Sequence, residues 1–287
     1  MNYKGIILSG GLGTRLSPIT KVVNKQLLPL FDKPLIYYPL SILMLANIKD
    51  ILIIVRAEDI ELYKKLFGDG SRIGIKITYA IQDKPSGIPE ALVIGKKFTK
   101  QSNVALILGD NFFYGQGLSG LLEDAKKENN GATIFCYAVS NPSSFGVADI
   151  KNGRIISLKE KPKKTKSNLA ISGLYFFDKN ANDYASKLKK SKRKETEIID
   201  LIKIYLKRKK LKHKIMGRGA SWLDTGTVEG LFEASNYIYN IEKRQGLKIA
   251  CLEEIAFDKG WINKKILQEN IKFYQKSSYA DYLRKIF

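Results

Sequence analysis

Histidine is almost absent from this 287-residue chain, which has only His213. That residue lies in Lys209-Lys210-Leu211-Lys212-His213-Lys214, a context that reads as solvated surface. Histidine-based nucleophilic or acid–base chemistry therefore does not fit. Cysteine is scarce too. Cys136 and Cys251 are far apart in sequence and read as two free, reduced thiols, with no Cys/His cluster for zinc. No apolar stretch is long enough for a membrane span. The longest, Pro34 to Ile48, contains Pro39, Ser41 and Asn47 and is expected to be a buried helix. No signal peptide is expected, because the chain enters a glycine loop at once, and the expected compartment is cytoplasmic. Acidic residues are also in the minority, with 28 Asp+Glu against 49 Lys+Arg and a net charge of +21. Residues 151–215 hold 21 Lys+Arg against 6 Asp+Glu. Those lysines are not interleaved with stacking aromatics, and no nucleic-acid-binding motif accompanies them. The excess is therefore read as solvated surface rather than a nucleic-acid or membrane patch.

The most informative stretch is Lys4-Gly5-Ile6-Ile7-Leu8-Ser9-Gly10-Gly11-Leu12-Gly13-Thr14-Arg15-Leu16, followed by Lys25. A short apolar strand runs into a glycine loop whose backbone can approach a bulky ligand and point N–H groups at an anion. Arg15 adds a planar cationic fork and Lys25 a point charge, a set that suits a nucleotide polyphosphate. A P-loop is excluded, since no Lys-Ser or Lys-Thr follows a glycine here. A dinucleotide fingerprint is excluded because Leu16 stands where its third glycine belongs. On the glycines alone, a purely structural strand-to-helix turn remains open.

Asp50–Val55, Lys76–Ala80, Val104–Leu108 and Ala132–Ala138 read as strands, with helices over Asp59–Phe67 and Leu118–Asn129. Near-continuous apolar strands alternating with helices imply an α/β fold: a Rossmann-like mixed, mostly parallel sheet covered on both faces. Shorter strands follow at Val147–Ile150, Ile155–Lys159 and Leu169–Phe177, with Asn152-Gly153 as a hairpin turn. Lys187–Lys194 reads as a loop, Thr227–Arg244 as a long helix, and the tail from Trp261 as helical. The expected division is a core over 1–230, with a small β subregion, and a helical segment over 231–287.

In an open α/β sheet, ligands bind beyond the carboxyl ends of the strands. Asp110, at the end of Val104-Ala105-Leu106-Ile107-Leu108-Gly109-Asp110, and Asp224, in Trp222-Leu223-Asp224-Thr225-Gly226-Thr227, are either turn caps or carboxylates for Mg²⁺, a hard cation with oxygen ligands. Glu160-Lys161-Pro162 is either a solvated pair or a contact for a phosphorylated substrate.

The ordered set resembles the glucose-1-phosphate thymidylyltransferase family of sugar-nucleotide pyrophosphorylases. It comprises the glycine loop, Lys25-Gln26-Leu27-Leu28-Pro29, Lys33-Pro34-Leu35-Ile36-Tyr37-Tyr38-Pro39-Leu40, Leu108-Gly109-Asp110-Asn111, Glu160-Lys161-Pro162, Gly173-Leu174-Tyr175 and the Trp222 segment. The likeness continues through Arg244-Gln245-Gly246-Leu247-Lys248 and Glu253-Glu254-Ile255-Ala256. The resemblance implies dTTP held by Leu8, Gly10, Gly11, Gly13, Thr14 and Arg15, with Gln82 and Gly87 reading the thymine. It implies catalysis by Arg15 and Lys25, and Mg²⁺ on Asp110 and Asp224. Glucose 1-phosphate would be held by Gly146, Glu160, Lys161, Ile171, Tyr175 and Arg193. It further implies a homotetramer and a feedback site at Tyr114, Gly115, Arg218, Glu254 and Ile255. Two departures stand out. Gly87-Ile88-Pro89-Glu90-Ala91 replaces the family's Gly-Leu-Ala-Gln-Ala, and Arg193-Lys194-Glu195-Thr196-Glu197-Ile198-Ile199-Asp200 replaces Arg-Gly-Glu-Leu-Glu-Ile-Thr-Asp. Gln116 and Gly117 also differ from the family's residues beside Tyr114. Another base or another sugar phosphate, and a catalytically silent sugar-nucleotide-binding homologue, remain alternative readings.

Overall fold

The computed structural model describes residues 2–286. The chain runs β1 (Tyr3–Leu8), β2 (Pro29–Leu30), β3 (Lys33–Pro34), α1 (Tyr37–Leu45), β4 (Asp50–Val55), α2 (Ile60–Phe67), β5 (Lys76–Ile81), α3 (Glu90–Ile94), α4 (Lys96–Thr99), β6 (Asn103–Leu108) and β7 (Asn111–Gly115). It continues through α5 (Leu118–Glu128), β8 (Ala132–Ala138), β9 (Gly146–Lys151), β10 (Arg154–Glu160), β11 (Leu169–Phe177), α6 (Ala181–Ala185), α7 (Ile198–Lys207), β12 (Leu211–Ile215) and β13 (Ala220–Asp224). Four helices end it: α8 (Val228–Gln245), α9 (Leu252–Asp258), α10 (Lys264–Phe273) and α11 (Ser278–Ile286).

Nine strands form one sheet, with a path β10-β9-β11-β6-β1-β4-β5; β8 pairs with β11, and β12 with β8. β6, β1, β4 and β5 are mutually parallel. The antiparallel β11 joins them to β8 and β9. Successive side chains of a strand point to opposite faces. Ile7, Ile51 and Ile53 accordingly enter one apolar cluster with α1 residues and with Leu252, Leu267 and Leu283 of the last helices. Ile6, Leu52 and Ile54 enter the opposite cluster, with Ala91, Leu92 and Ile202. Burial on both faces is why these strands read as unbroken apolar runs.

Asn152 and Gly153 both take positive φ, 49° and 69°, as a tight hairpin turn between β9 and β10 requires. Two features differ from expectation. Leu211–Ile215 is an edge strand paired with β8, so His213 is half-buried rather than solvated. Burial and then Lys214 push its imidazole pKa down. Its Leu-Lys-His-Lys-Ile pattern disguises it, because lysines on an edge strand block further pairing and look like loop. The second is a separate ribbon, β7 paired antiparallel with β13, Asn111 opposite Asp224 and Gly115 opposite Ala220. Among the described residues no helix is long and apolar enough to cross a membrane.

Candidate active site

Because β1, β5 and β6 run parallel, the residues that follow them emerge at one edge of the sheet: the Ser9–Gly13 loop, Gln82, and Gly109-Asp110. A cleft of ≈ 340 Å³ opens there. It gathers Leu8, Gly11, Arg15, Gln82, Gly87, Asp110, Gly146, Glu160, Lys161, Ile171, Tyr175, Arg193 and Asp224, residues drawn from opposite ends of the sequence. Gly10, Gly13, Thr14 and Lys25 do not line it. Gly10 and Gly13 act from below. A Cβ on Gly10 would meet Gln82 Oε1 at 2.3 Å, and one on Gly13 would meet Lys25 Cβ at 3.2 Å, so both let side chains pack against the loop. Gly13 also needs its positive φ of 62°.

Lys25 is buried, and its Nζ is 2.5 Å from Asp110 Oδ2. It therefore sits behind that carboxylate rather than in the wall of the cleft. Its place is fixed by Asn24, whose Oδ1 accepts from Gln26 N at 3.0 Å and Tyr63 Oη at 2.9 Å. Asn24 Nδ2 donates to Asp59 at 2.6 Å. Burial alone would raise the Asp110 pKa, but the Lys25 ammonium and an Asn111 hydrogen bond hold it below the usual carboxylate range.

Asp224 faces the opposite balance. Burial, then the charge of Asp110, push its carboxyl pKa up against the pull of Lys25 and Arg15. The two acids are stapled through the backbone: Thr225 N and Oγ1 both donate to Asp110 O, at 3.2 and 2.8 Å. Arg15 packs over Gly226, where a Cβ would lie 2.6 Å from its Nη2 and 2.9 Å from Asp224 Oδ1. Two crowded carboxylates, one of them destabilised by the other, are a donor set that an added divalent cation would relieve. Among the described residues no three His, Cys, Asp or Glu side chains group to hold a metal. A Mg²⁺ here would thus complete its shell with phosphate and water oxygens, its usual preference.

In the same cleft, Arg193 lies 2.6 Å from Glu197 and 3.4 Å from Glu160. Burial, then Glu197, raise the Glu160 pKa. Lys161 follows with φ 39°, a left-handed backbone uncommon for a lysine, and such strain gathers at ligand clamps. Gly87 takes φ 106°, and a Cβ there would come within 2.0 Å of Thr196 O. Only glycine lets the Pro85–Ile88 wall meet the Arg193–Ile199 wall.

Sequence reasoning gave Asn111 no role. Its Oδ1 accepts from Trp222 Nε1 at 2.6 Å and Gly173 N at 3.1 Å, and its Nδ2 donates to Asp110 at 3.0 Å. It ties together three strands distant in sequence. Its position next to Asp110 was the available signal.

A second cleft of ≈ 350 Å³ includes Tyr114, Gly115, Glu254 and Ile255, beside Gln245 and Lys248. Tyr114 Oη donates to Gln245 Oε1 at 3.0 Å. Arg218 does not line it. It is exposed in the turn before Ala220, the residue paired with Gly115.

The sequence pattern of the nucleotidyl transferase family matches residues 4–240, and the chain belongs to that family. A glucose-1-phosphate thymidylyltransferase of Neisseria meningitidis serogroup A is 50% identical over 99% of each chain. One from Mycobacterium tuberculosis is 45% identical over 99% of this chain and 98% of its own length. A solved Bacillus anthracis structure assigned to the same activity, in complex with a sucrose, superposes with TM-score 0.76 at 40% identity, covering 82% of this chain and 94% of that one. Within the nucleotidyl transferases, this chain belongs with the glucose-1-phosphate thymidylyltransferases.

Proposed function

We propose that this chain joins dTTP to glucose 1-phosphate, releasing pyrophosphate and forming dTDP-glucose. The observation that carries the reading is the compact charge centre of Arg15, Lys25, Asp110 and Asp224 at the strand-end edge. The same cleft carries a neutral amide and glycine pair (Gln82, Gly87) and a charged group (Glu160, Lys161, Arg193). The base belongs at the first, the sugar phosphate at the second, and the triphosphate between them.

The chemistry suits a chain without an available histidine. The oxygen of glucose 1-phosphate is already anionic, so no general base is needed. That oxygen attacks the α-phosphorus, the bond from the α-phosphorus to the bridging oxygen breaks, and pyrophosphate leaves with the electron pair. Positioning and charge cancellation then govern the rate. Arg15 neutralises charge on the triphosphate. Lys25 offsets charge at the reacting phosphorus and keeps Asp110 ionised. Lys161 and Arg193 orient the incoming phosphate, and Glu160 and Tyr175 shape the sugar end. Mg²⁺ held by Asp110 and Asp224 would neutralise phosphate charge when bound.

The second cleft supports a feedback site for a sugar nucleotide made downstream, with Tyr114, Gly115, Glu254 and Ile255 in its wall and Arg218 outside that wall in the turn before Ala220. Val228, Phe232 and Tyr239 stand exposed on α8, apolar surface that supports assembly of copies into a homotetramer. The cytoplasm, where both substrates and reduced thiols belong, is the compartment of this reading. Pyrophosphate release across dTTP, UTP, dCTP and ATP with several sugar 1-phosphates tests the function. Release confined to dTTP and UTP with glucose 1-phosphate supports it, and none with any pair refutes it.

A further inference from the structure

Between α6 and α7 the chain reads Lys187-Leu188-Lys189-Lys190-Ser191-Lys192-Arg193-Lys194, six cations in eight residues. Such a run is ordinarily plain solvated surface, but the fold sets this one against the cleft. Arg193 lines the cleft itself. A side cavity of ≈ 450 Å³ shares Glu160, Lys161, Arg193 and Glu197 with it and adds Lys192 to the lining.

Hydrogen bonds hold the loop in that place. Ser191 N donates to Glu195 O at 2.8 Å, and Lys194 N to Ser191 O at 2.9 Å. Arg193 N donates to Ser191 Oγ at 3.2 Å, and Ser191 Oγ donates to Glu197 Oε1 at 2.7 Å. Lys194 takes φ 61°, at the position where the family carries glycine. A left-handed backbone costs a lysine more than a glycine, so this cation is carried against local strain, which gathers at functional sites. Arg193 has Glu197 and Glu160 as partners, and Asp200 of the side cavity has Lys203. Lys189, Lys190, Lys192 and Lys194 are exposed, and among the described residues none of the four forms an ion pair.

We propose that this loop is an electrostatic collector for the sugar phosphate: its four unpaired lysines raise the local concentration of the anionic substrate at the mouth of the cleft without bonding to the reacting atoms. The proposal rests on the reading of Glu160, Lys161 and Arg193 as the sugar-phosphate contacts. A phosphate monoester carries about −1.5 to −2 charges at pH 7, and charges of one sign clustered at a cleft focus their field into it. The lysines act through water, so their reach is set by salt, roughly 30 Å at 0.01 M and a few ångströms at 1 M. Such a field favours the bound substrate and the transition state alike. It therefore lowers KM and leaves kcat unchanged.

The test measures kcat and KM for glucose 1-phosphate at saturating dTTP, in ~0.01 M and ~0.5 M sodium chloride at fixed Mg²⁺. It compares the full-length wild type with two variants. One is Lys189→Gln/Lys190→Gln/Lys192→Gln/Lys194→Gln, and the other is Lys189→Arg/Lys190→Arg/Lys192→Arg/Lys194→Arg, which keeps every charge. At low salt the glutamine variant raises KM about 3- to 10-fold, the low end of what clustered charges achieve, and keeps kcat. At high salt it differs from the wild type less than ~2-fold. The arginine variant keeps the KM of the wild type and its salt dependence. Equal KM in the wild type and the glutamine variant at low salt overturns the proposal. So does a rise that persists at high salt or that the arginine variant shares, since either marks a structural role. A wild type that releases no pyrophosphate with any substrate pair overturns the functional reading and this one with it.

Discussion

Replacing Lys25 with methionine keeps most of the buried stem and removes the ammonium. Its Nζ stands 2.5 Å from Asp110 Oδ2, and the lysine side chain is 5% exposed. At that separation and an effective dielectric near 20, the pair interacts by about 7 kcal/mol before desolvation is subtracted. Breaking one side of a buried pair typically costs ~3–5 kcal/mol, because the remaining charge has no counter-ion. Here that charge is Asp110, which already repels Asp224. At about 2–4 °C per kcal/mol for a chain of this size, Tm falls by roughly 6–20 °C. Turnover falls by about two orders of magnitude or more, since a cation near the reacting phosphorus acts most strongly in the transition state. Lys25→Met/Asp110→Asn separates the two effects. Neutralising both partners restores most of the lost Tm while turnover stays low. Thermal melts and pyrophosphate release, run on the wild type and both variants, are the assays. An unchanged Tm in Lys25→Met refutes the buried ion pair, and a folded variant with near-normal kcat refutes the catalytic role.

Asp224→Asn should abolish most turnover yet raise thermal stability. A carboxyl whose folded pKa is raised contributes stability that is complete below its unfolded pKa and lost as pH rises through the folded one. The variant's stability advantage should therefore be small at acidic pH and grow toward neutrality, to about 1 kcal/mol; an advantage that does not grow with pH contradicts the crowding of Asp110 and Asp224. Arg193→Ala should raise KM for glucose 1-phosphate about tenfold, the loss of one charge-assisted contact, with a smaller change for dTTP; titration of initial rates against each substrate decides. Arg218→Ala should keep turnover and lose inhibition by a sugar nucleotide such as dTDP-rhamnose, and inhibition that stays intact removes Arg218 from the second site.

The sequence revealed the elements whose neighbours in space repeat one simple pattern. β1, β4, β6 and β8 are apolar because both faces of the sheet are covered, and Asn152-Gly153 marks its hairpin by the backbone it must adopt. It hid β12, whose two half-buried lysines, both bonded to Glu128, imitate a loop in the sequence. Most cleft-lining residues were legible through ordered motifs. Their division of labour was not, because it depends on contacts between distant segments. Lys25 lies behind Asp110 across 85 positions, and Asn111 reaches Trp222 across 111. Glu90 was visible as a departure, while its partner Gln82 emerged only when the first turn of α3 met the end of β5.

The β7–β13 ribbon is a beam with a foot in each cleft. At one end it carries Asn111 and Asp224 in the wall of the first, and at the other Tyr114 and Gly115 in the wall of the second. Five paired residues at about 3.4 Å apiece make it roughly 17 Å long. Strands slip past one another only in whole-residue steps, each of which would turn every side chain to the wrong face. Such a beam has no soft joint along its length. It can tilt or twist as one piece, so a displacement of a few tenths of an ångström at Gly115 would reappear at the carboxylates.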